Sequence, residues 1–320
     1  MYTMFKRLKV DVLIVLILAA VVLAIFFPAR GGVADAFKLA SSLGIALLFY
    51  LYGARLSTSE ALAGLKHWRL HLLILSFTFV VFPIIGVSLK PLELFIPHGI
   101  YMGILYLTLV PSTVQSSVAF TSVAKGNVAG AIVSASASNL VGVFATPILV
   151  MLLMGQSGEF HIDASVFTDI AIQLLLPFAL GQLTRRWVHT IAERGATKVV
   201  DRGSIALVVY VAFSEGMVEG IWSSVAVGHI VFLVVLSIAL VAFMLWLTRF
   251  VALKLGFNEA DTIAIEFCGT KKSLATGLPM AAVIFAGQPT ALLILPLMIF
   301  HQVQLMMCSW LASKYARSRG

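Results

Sequence analysis

Glu266-Phe267-Cys268-Gly269-Thr270-Lys271-Lys272-Ser273 interrupts an otherwise apolar run from Asp261 to Ala286. On insertion scales, a carboxylate or ammonium at the centre of a bilayer costs about 2.5–3.5 kcal/mol. A cost repeated three times within seven residues, at Glu266, Lys271 and Lys272, marks a functional segment rather than a lipid anchor. The setting is a bilayer because 60% of the 320 residues are hydrophobic, only 11% are charged and mean hydropathy is +1.03. Soluble domains carry about 25% charged residues. The chain therefore reads as an all-α polytopic membrane protein.

Crossing roughly 30 Å of hydrocarbon takes about 20 apolar residues. Windows of that kind fall at 10–27, 36–54, 68–89, 98–124, 127–154, 165–184, 203–219, 226–248, 258–286 and 288–313. The start, MYTMFKRLKVDVLIVLILAAVVLAIFF, has the outline of a signal peptide but no small-residue cleavage site, so it is read as the first span. The net charge of +8 comes from loop residues that set topology, not from a nucleic-acid surface. With the N-terminus inside, the cytoplasmic set is Lys6, Arg7, Lys9, Arg55, Lys66, Arg69, Lys125, Arg185, Arg186, Arg194, Lys198, Arg202, Arg249, Lys254, Lys314, Arg317 and Arg319, which is 17 of 22. Arg30, Lys38 and Lys90 are outside, and both termini are expected in the cytoplasm of a cell-membrane protein. The connection from Arg185 to Arg202 is expected to be a polar loop.

Division near residue 155 gives 1–154 as a first five-helix repeat and 155–320 as a second. An odd number of spans per half makes the repeats inverted. Their fourth spans are both interrupted. In 98–124 the break is Pro111-Ser112-Thr113-Val114-Gln115-Ser116-Ser117, where proline removes an N–H and hydroxyls can serve freed carbonyls. In 258–286 it is Cys268-Gly269-Thr270-Lys271-Lys272, with Gly269 allowing an unwound turn. Two unwound helices would bring N-termini, each with about +0.5 charge, to the midplane beside carbonyl-bearing C-termini, an arrangement that holds an anion beside a cation. The bland readings are a Pro-kinked helix in the first case and a structural ion pair of Glu266 with the lysines in the second.

At these residues the chain resembles the bile acid:sodium symporter family. PSTVQSSVAFTSVAKGNVAGAIV is similar to its fourth-to-fifth helix segment and AIEFCGTKKSLATGLPMA to its ninth helix. FCGTKKSL and HWRLHLLILSFTFVVFPIIG are closest to the branch of the orphan seventh member of mammalian solute carrier family 10 and its bacterial relatives. The resemblance implies ten helices in a core carrying the crossovers and a panel of helices such as 1, 2, 6 and 7. It also implies two sodium sites. Carried over, Glu266 matches the sodium-binding glutamate, Phe267 supplies a carbonyl, and Ser116 and Ser117 stand near a Ser-Asn pair. Ser134 is the fifth-helix hydroxyl nearest the family's pattern, and Thr78, five residues before Pro83, takes the place of a glutamine. Thr270 replaces the crossover glutamine and Lys271 an asparagine. A sodium ion 4 Å from an ammonium is repelled by about 4 kcal/mol at an effective dielectric of 20. Lys271 is accordingly expected to face the cavity, to stand in for a bound sodium and to balance Glu266. Lys272, turned about 100° away, is expected to snorkel or pair elsewhere.

The candidate site is completed by Ser112, Thr113, Gln115 and His301. His301 lies in 288–313 with Gln302 and Gln304; the other six histidines, among them His67 and His161, fall near span ends. Glu215 and Glu219 mark the outer end of the seventh span. Cys268 and Cys308 both fall in spans, which excludes a disulfide framework or a Cys-based zinc cluster. The sequence contains no HExxH, Walker A, GxSxG, intramembrane GxGD or aspartate-rich motif. Ser273 and Lys272, adjacent on a helix, cannot form a nucleophile-base dyad. The expected protein is therefore not an enzyme but a secondary transporter: ion-coupled symport of a small or amphipathic organic anion, with sodium as the only possible ion cofactor. The alternatives are a proton-coupled or sodium-independent transporter using Glu266 and Lys271, and a non-transporting membrane regulator or scaffold.

Overall fold

The computed structural model describes residues 12–55, 67–155, 168, 170–195, 197–220, 222, 225–286, 288 and 290–318. Lys6, Arg7, Lys9, Lys66, His161 and Arg319 lie outside the described residues. The helices are α1 (Val12–Phe26), α2 (Gly31–Arg55), α3 (Trp68–Ser76), α4 (Phe82–Ser88), α5 (His98–Leu109), α6 (Gln115–Val123), α7 (Val128–Met154), α8 (Leu176–Ala192), α9 (Thr197–Val218), α10 (Val227–Lys254), α11 (Glu259–Thr270), α12 (Leu274–Ile284) and α13 (Thr290–Ser318). Among the described residues, five helical stretches, Gly31–Arg55, Trp68–Leu94, Val128–Met154, Val227–Lys254 and Thr290–Ser318, are long and apolar enough to cross a membrane. Large apolar side chains such as Leu18, Leu152 and Trp310 are exposed, as lipid contact demands.

The described helices fall into two compact units. One unit holds α1, α2, α8 and α9, the windows numbered 1, 2, 6 and 7 above; the other holds the remaining helices. Each unit thus draws on both halves of the chain.

In the first unit α2 and α8 touch backbone to backbone. A Cβ on Gly53 would fall on the Phe178 carbonyl, and one on Gly181 on the Tyr50 carbonyl. Between lipid-soluble helices dispersion across such small residues replaces the hydrophobic drive available in water. Arg55 closes the same pair: its Nε donates to the Ala192 carbonyl at 2.8 Å and its Nη1 pairs with Asp201 Oδ2 at 2.6 Å. The expected loop from Arg185 to Arg202 is therefore wrong. α8 runs on to Ala192 and α9 begins at Thr197, because Arg55 caps the last carbonyl of α8 and charge suits a helix C-terminus. Lys38, one of the basic residues expected outside, lies in the second turn of α2 and pairs with Glu215 at 2.7 Å.

In the second unit the polar ends are pinned by side-chain caps. Asn127 caps α7 by accepting from the Gly130 N–H, and Asn258 caps α11 by accepting from Asp261. Asn127 Nδ2 then donates to Asp261 Oδ1 at 2.6 Å and its own N–H to the Ala260 carbonyl, so the two caps lock together. Between α3 and α4 the backbone widens into a π turn, Phe77–Val81, in which the Phe82 N–H reaches back five residues to Phe77.

Candidate functional site

Both interrupted segments are broken helices. α5 ends at Leu109, and Val110, with ψ 156°, carries the chain out of helix until α6 starts at Gln115. α11 ends at Thr270, Lys271 is extended with ψ 151°, and α12 restarts after Ser273, whose side chain caps it by accepting from Thr276. The breaks are shorter and differently placed than expected. Gln115, Ser116 and Ser117 form the first turn of α6, and Cys268 to Thr270 remain helical. Gly269 does not unwind the chain; it lets Thr248 and the Phe77 Cβ approach, at 3.2 and 3.4 Å from where its own Cβ would be.

The two gaps meet. Ser273 N–H donates to the Pro111 carbonyl at 2.7 Å and Ser112 Oγ donates to the Cys268 carbonyl at 2.6 Å. Because an unsatisfied peptide group in hydrocarbon is expensive, every carbonyl exposed by the first break needs a donor. Thr108 and Val110 receive the Lys272 ammonium, Leu109 the Thr146 hydroxyl, Pro111 the Ser273 N–H and Ser112 the Asn139 amide. On the other strand of the crossing, Gln304 grips Lys272 from both sides: Oε1 accepts from its N–H at 2.9 Å and Nε2 donates to its carbonyl at 2.8 Å. The second amide proton of Gln304 serves His301 Nδ1 at 2.8 Å.

The lysines are not arranged as expected. Both are fully buried. Lys272 does not snorkel; its Nζ donates at 2.8 Å to each of the carbonyls of Thr78, Thr108 and Val110. Lys271 Nζ has no hydrogen-bond partner among the described residues and lies 3.9 Å from the Phe120 ring centre and 5.5 Å from that of Phe267. Neither lysine forms an ion pair with Glu266, so the expected balance of Lys271 against that carboxylate is overturned. Glu266 is 2% exposed and meets Arg249 Nη1 at 3.5 Å and Tyr315 OH at 3.0 and 3.1 Å. Arg249 also holds Glu259 at 2.7 Å. Counted among loop charges, Arg249 belongs instead to α10 one turn before its end, because two carboxylates on α11 face it.

The remaining candidates divide. Thr113 shares hydrogen bonds with Ser116 and Ser117 at 2.7 and 3.1 Å, and Ser117 Oγ donates to the Phe267 carbonyl at 3.4 Å. Thr78 donates its hydroxyl to Ile74 and offers its carbonyl to Lys272. Thr270 turns to Thr248, 3.4 Å away, and Ser134 pairs with His71 Nδ1 at 2.6 Å, which leaves both outside the crossing. Gln115 is exposed. Arg249 and Tyr315 were missed because each lies on another helix, and Ser138, Asn139 and Thr146 because on their helix only Ser134 stood near the family's pattern. Gln304 carried a signal, an amide inside an apolar span three residues from His301 and so on one helical face with it.

Two broken membrane helices whose gaps are hydrogen-bonded to each other around buried ammonium groups define, as a class, a broken-helix transporter scaffold. The chain belongs to the SBF-like CPA transporter family, whose sequence profile matches residues 11–317, and it is thereby a multi-pass membrane protein of the bile acid:sodium symporter type. It is 49% identical over 306 residues to the uncharacterized protein PA2026 of Pseudomonas aeruginosa, covering 95% of this chain and 92% of that one. YfeH of Escherichia coli is 48% identical over 306 residues, covering 94% and 91%. Sodium/bile acid cotransporter 7 of Mus musculus is 32% identical over 279 residues, covering 84% and 81%.

Proposed function

We propose that the protein is a ten-helix, inverted-repeat secondary transporter that moves a small or amphipathic organic anion by alternating access, with Lys271 as the anion's counter-charge. The observation that carries this reading is the buried Lys271 ammonium, held over Phe120 with no hydrogen-bond acceptor beside the crossing. An aromatic face compensates part of the charge, about 2 kcal/mol when desolvated, and leaves three N–H donors unused. An incoming carboxylate or sulfonate completes them.

The geometry favours coupling that does not strictly need sodium. Glu266 already faces a guanidinium, and the hydroxyls of Ser112 and Ser117 donate to the Cys268 and Phe267 carbonyls, which a sodium site would need free. Sodium coupling, which the name of the mouse relative carries, is the second reading. It rests on Glu266, Ser116 and Ser117 rearranging on binding. Proteoliposomes loaded from a panel of organic anions decide between them: concentrative uptake is expected to persist when choline replaces sodium and to fall at least about tenfold in Lys271→Gln, the loss of one charge-assisted contact of about 1.5–3 kcal/mol. Glu266→Gln keeps its bond to Tyr315 and leaves Arg249 on Glu259, so it is expected to fold and to impair uptake. Absence of uptake for every anion would favour the regulator or scaffold reading.

Orientation is tested separately. With basic residues segregated as above, reporters after Arg319 and at Gly195 are expected in the cytoplasm and one in 155–161 outside. A C-terminal reporter on the outer face would remove the ten-span arrangement, and the repeats 1–154 and 155–320 with it.

A further inference from the structure

The three carbonyls that hold Lys272 are free for a reason written in the sequence. In the π turn Phe77–Val81 the Phe82 N–H goes to Phe77, so the donor due to Thr78 is the next residue, Pro83, which has no N–H. In α5 the helix ends at Leu109 before Pro111, and the Ser112 N–H that would close on Thr108 goes instead to Ser138 at 3.0 Å. Val110 lies in the break itself. Pro83 in one segment and the break after Leu109 in the other thus aim three carbonyl oxygens without intrahelical donors at one point.

Three oxygens converging on a point in a fully buried interior make a cation site, the same chemistry by which peptide carbonyls replace the hydration shell of an ion. Here the point is occupied by the Lys272 nitrogen at 2.8 Å from all three, above the Phe82 ring at 4.3 Å from its centre. A neutral amine has two N–H groups. Three carbonyl acceptors require three, so the occupant is an ammonium. Gln304 fixes the Lys272 backbone from which it hangs.

We propose that Lys272 is a built-in cation: its ammonium fills a three-carbonyl cation site that joins the Thr78 turn to the first break, and removing the side chain opens that site to a small free cation, an alkali-metal ion or a primary alkylammonium. The crossing then carries its own positive charge at this position in every state, whereas a free ion would have to load and leave. This rests on the geometry of the crossing alone and holds whatever the protein transports.

The test is thermal unfolding of the purified full-length protein in detergent with choline chloride as background salt. Lys272→Ala is expected to unfold well below the wild type and to be raised, saturably, by at least about 3 °C on adding propylammonium, the shift of a ligand well above its dissociation constant. Sodium chloride is expected to raise it too, while tetramethylammonium, with the same charge and no N–H, is expected to do nothing. The wild type should respond to neither propylammonium nor tetramethylammonium, and any sodium shift it shows should be smaller than that of Lys272→Ala. Lys272→Met, which fills the space without charge, should be destabilised and unresponsive. If Lys272→Ala cannot be purified even with propylammonium present, Lys272→Met decides alone, and wild-type stability in that variant would overturn the proposal. So would an Ala variant that propylammonium and sodium leave unchanged, or one that tetramethylammonium rescues equally.

Discussion

Gln304→Met is expected to lower stability by at least about 1–3 kcal/mol, the cost of one buried unsatisfied group, because it leaves the Lys272 N–H without its acceptor and the Lys272 carbonyl with only His301 Nδ1 at 3.4 Å. Gln304 is fully buried, so water cannot replace the amide. Methionine matches the side chain in length and flexibility, which removes a cavity as a competing cause. Gln302→Met is the control: Gln302 is only half-buried and its substitution is expected to fall within a few tenths of a kcal/mol. Thermal unfolding of the two purified variants in detergent gives the comparison. Equal midpoints would mean that the gap at Lys271 to Ser273 is held by its contacts with Pro111 and Cys268 alone.

Gly53→Val and Gly181→Val are each expected to abolish the α2–α8 pairing. Ordinary overpacking costs about 1–3 kcal/mol because side chains give way. Here the added Cβ meets a backbone carbonyl, which cannot move unless the whole helix does. Separation would also break the Tyr50–Thr184 hydrogen bond at 2.8 Å and the Arg55 cap on Ala192. The expected result is a large loss of folded monomer on size-exclusion chromatography. Gly203→Ala, at a helical glycine with nothing within 4 Å of the added Cβ, should be neutral or stabilising by up to about 1 kcal/mol. Normal yields of both valine variants would show that the interface can open without penalty.

Much of this molecule is readable in one dimension because a bilayer simplifies the code. Apolar length sets each helix: the window 127–154 is matched by Val128–Met154 to within one residue, and 226–248 by Val227–Lys254, which runs six residues further at its C-terminal end. Proline and the polar clusters located both breaks, since a peptide group without an intrahelical partner must be served by something nearby. The family, too, was legible in those two segments.

What the sequence could not assign was partnership. Glu266, Lys271 and Lys272 stand within seven residues, and proximity in the chain suggested that they neutralise one another. The helix carries Glu266 to Arg249 and Tyr315, while the unwound turn sends Lys272 to carbonyls on two other segments and leaves Lys271 over an aromatic ring. One rotation of the backbone at Lys271, to ψ 151°, separates these three fates. The sequence by itself thus determined that the chain is helical and apolar enough for a membrane and which two segments break. Only the tertiary structure decided which buried charge meets which partner, because electrostatic partners are chosen by distance in space, at energies of several kcal/mol per contact in a low dielectric, and not by distance along the chain.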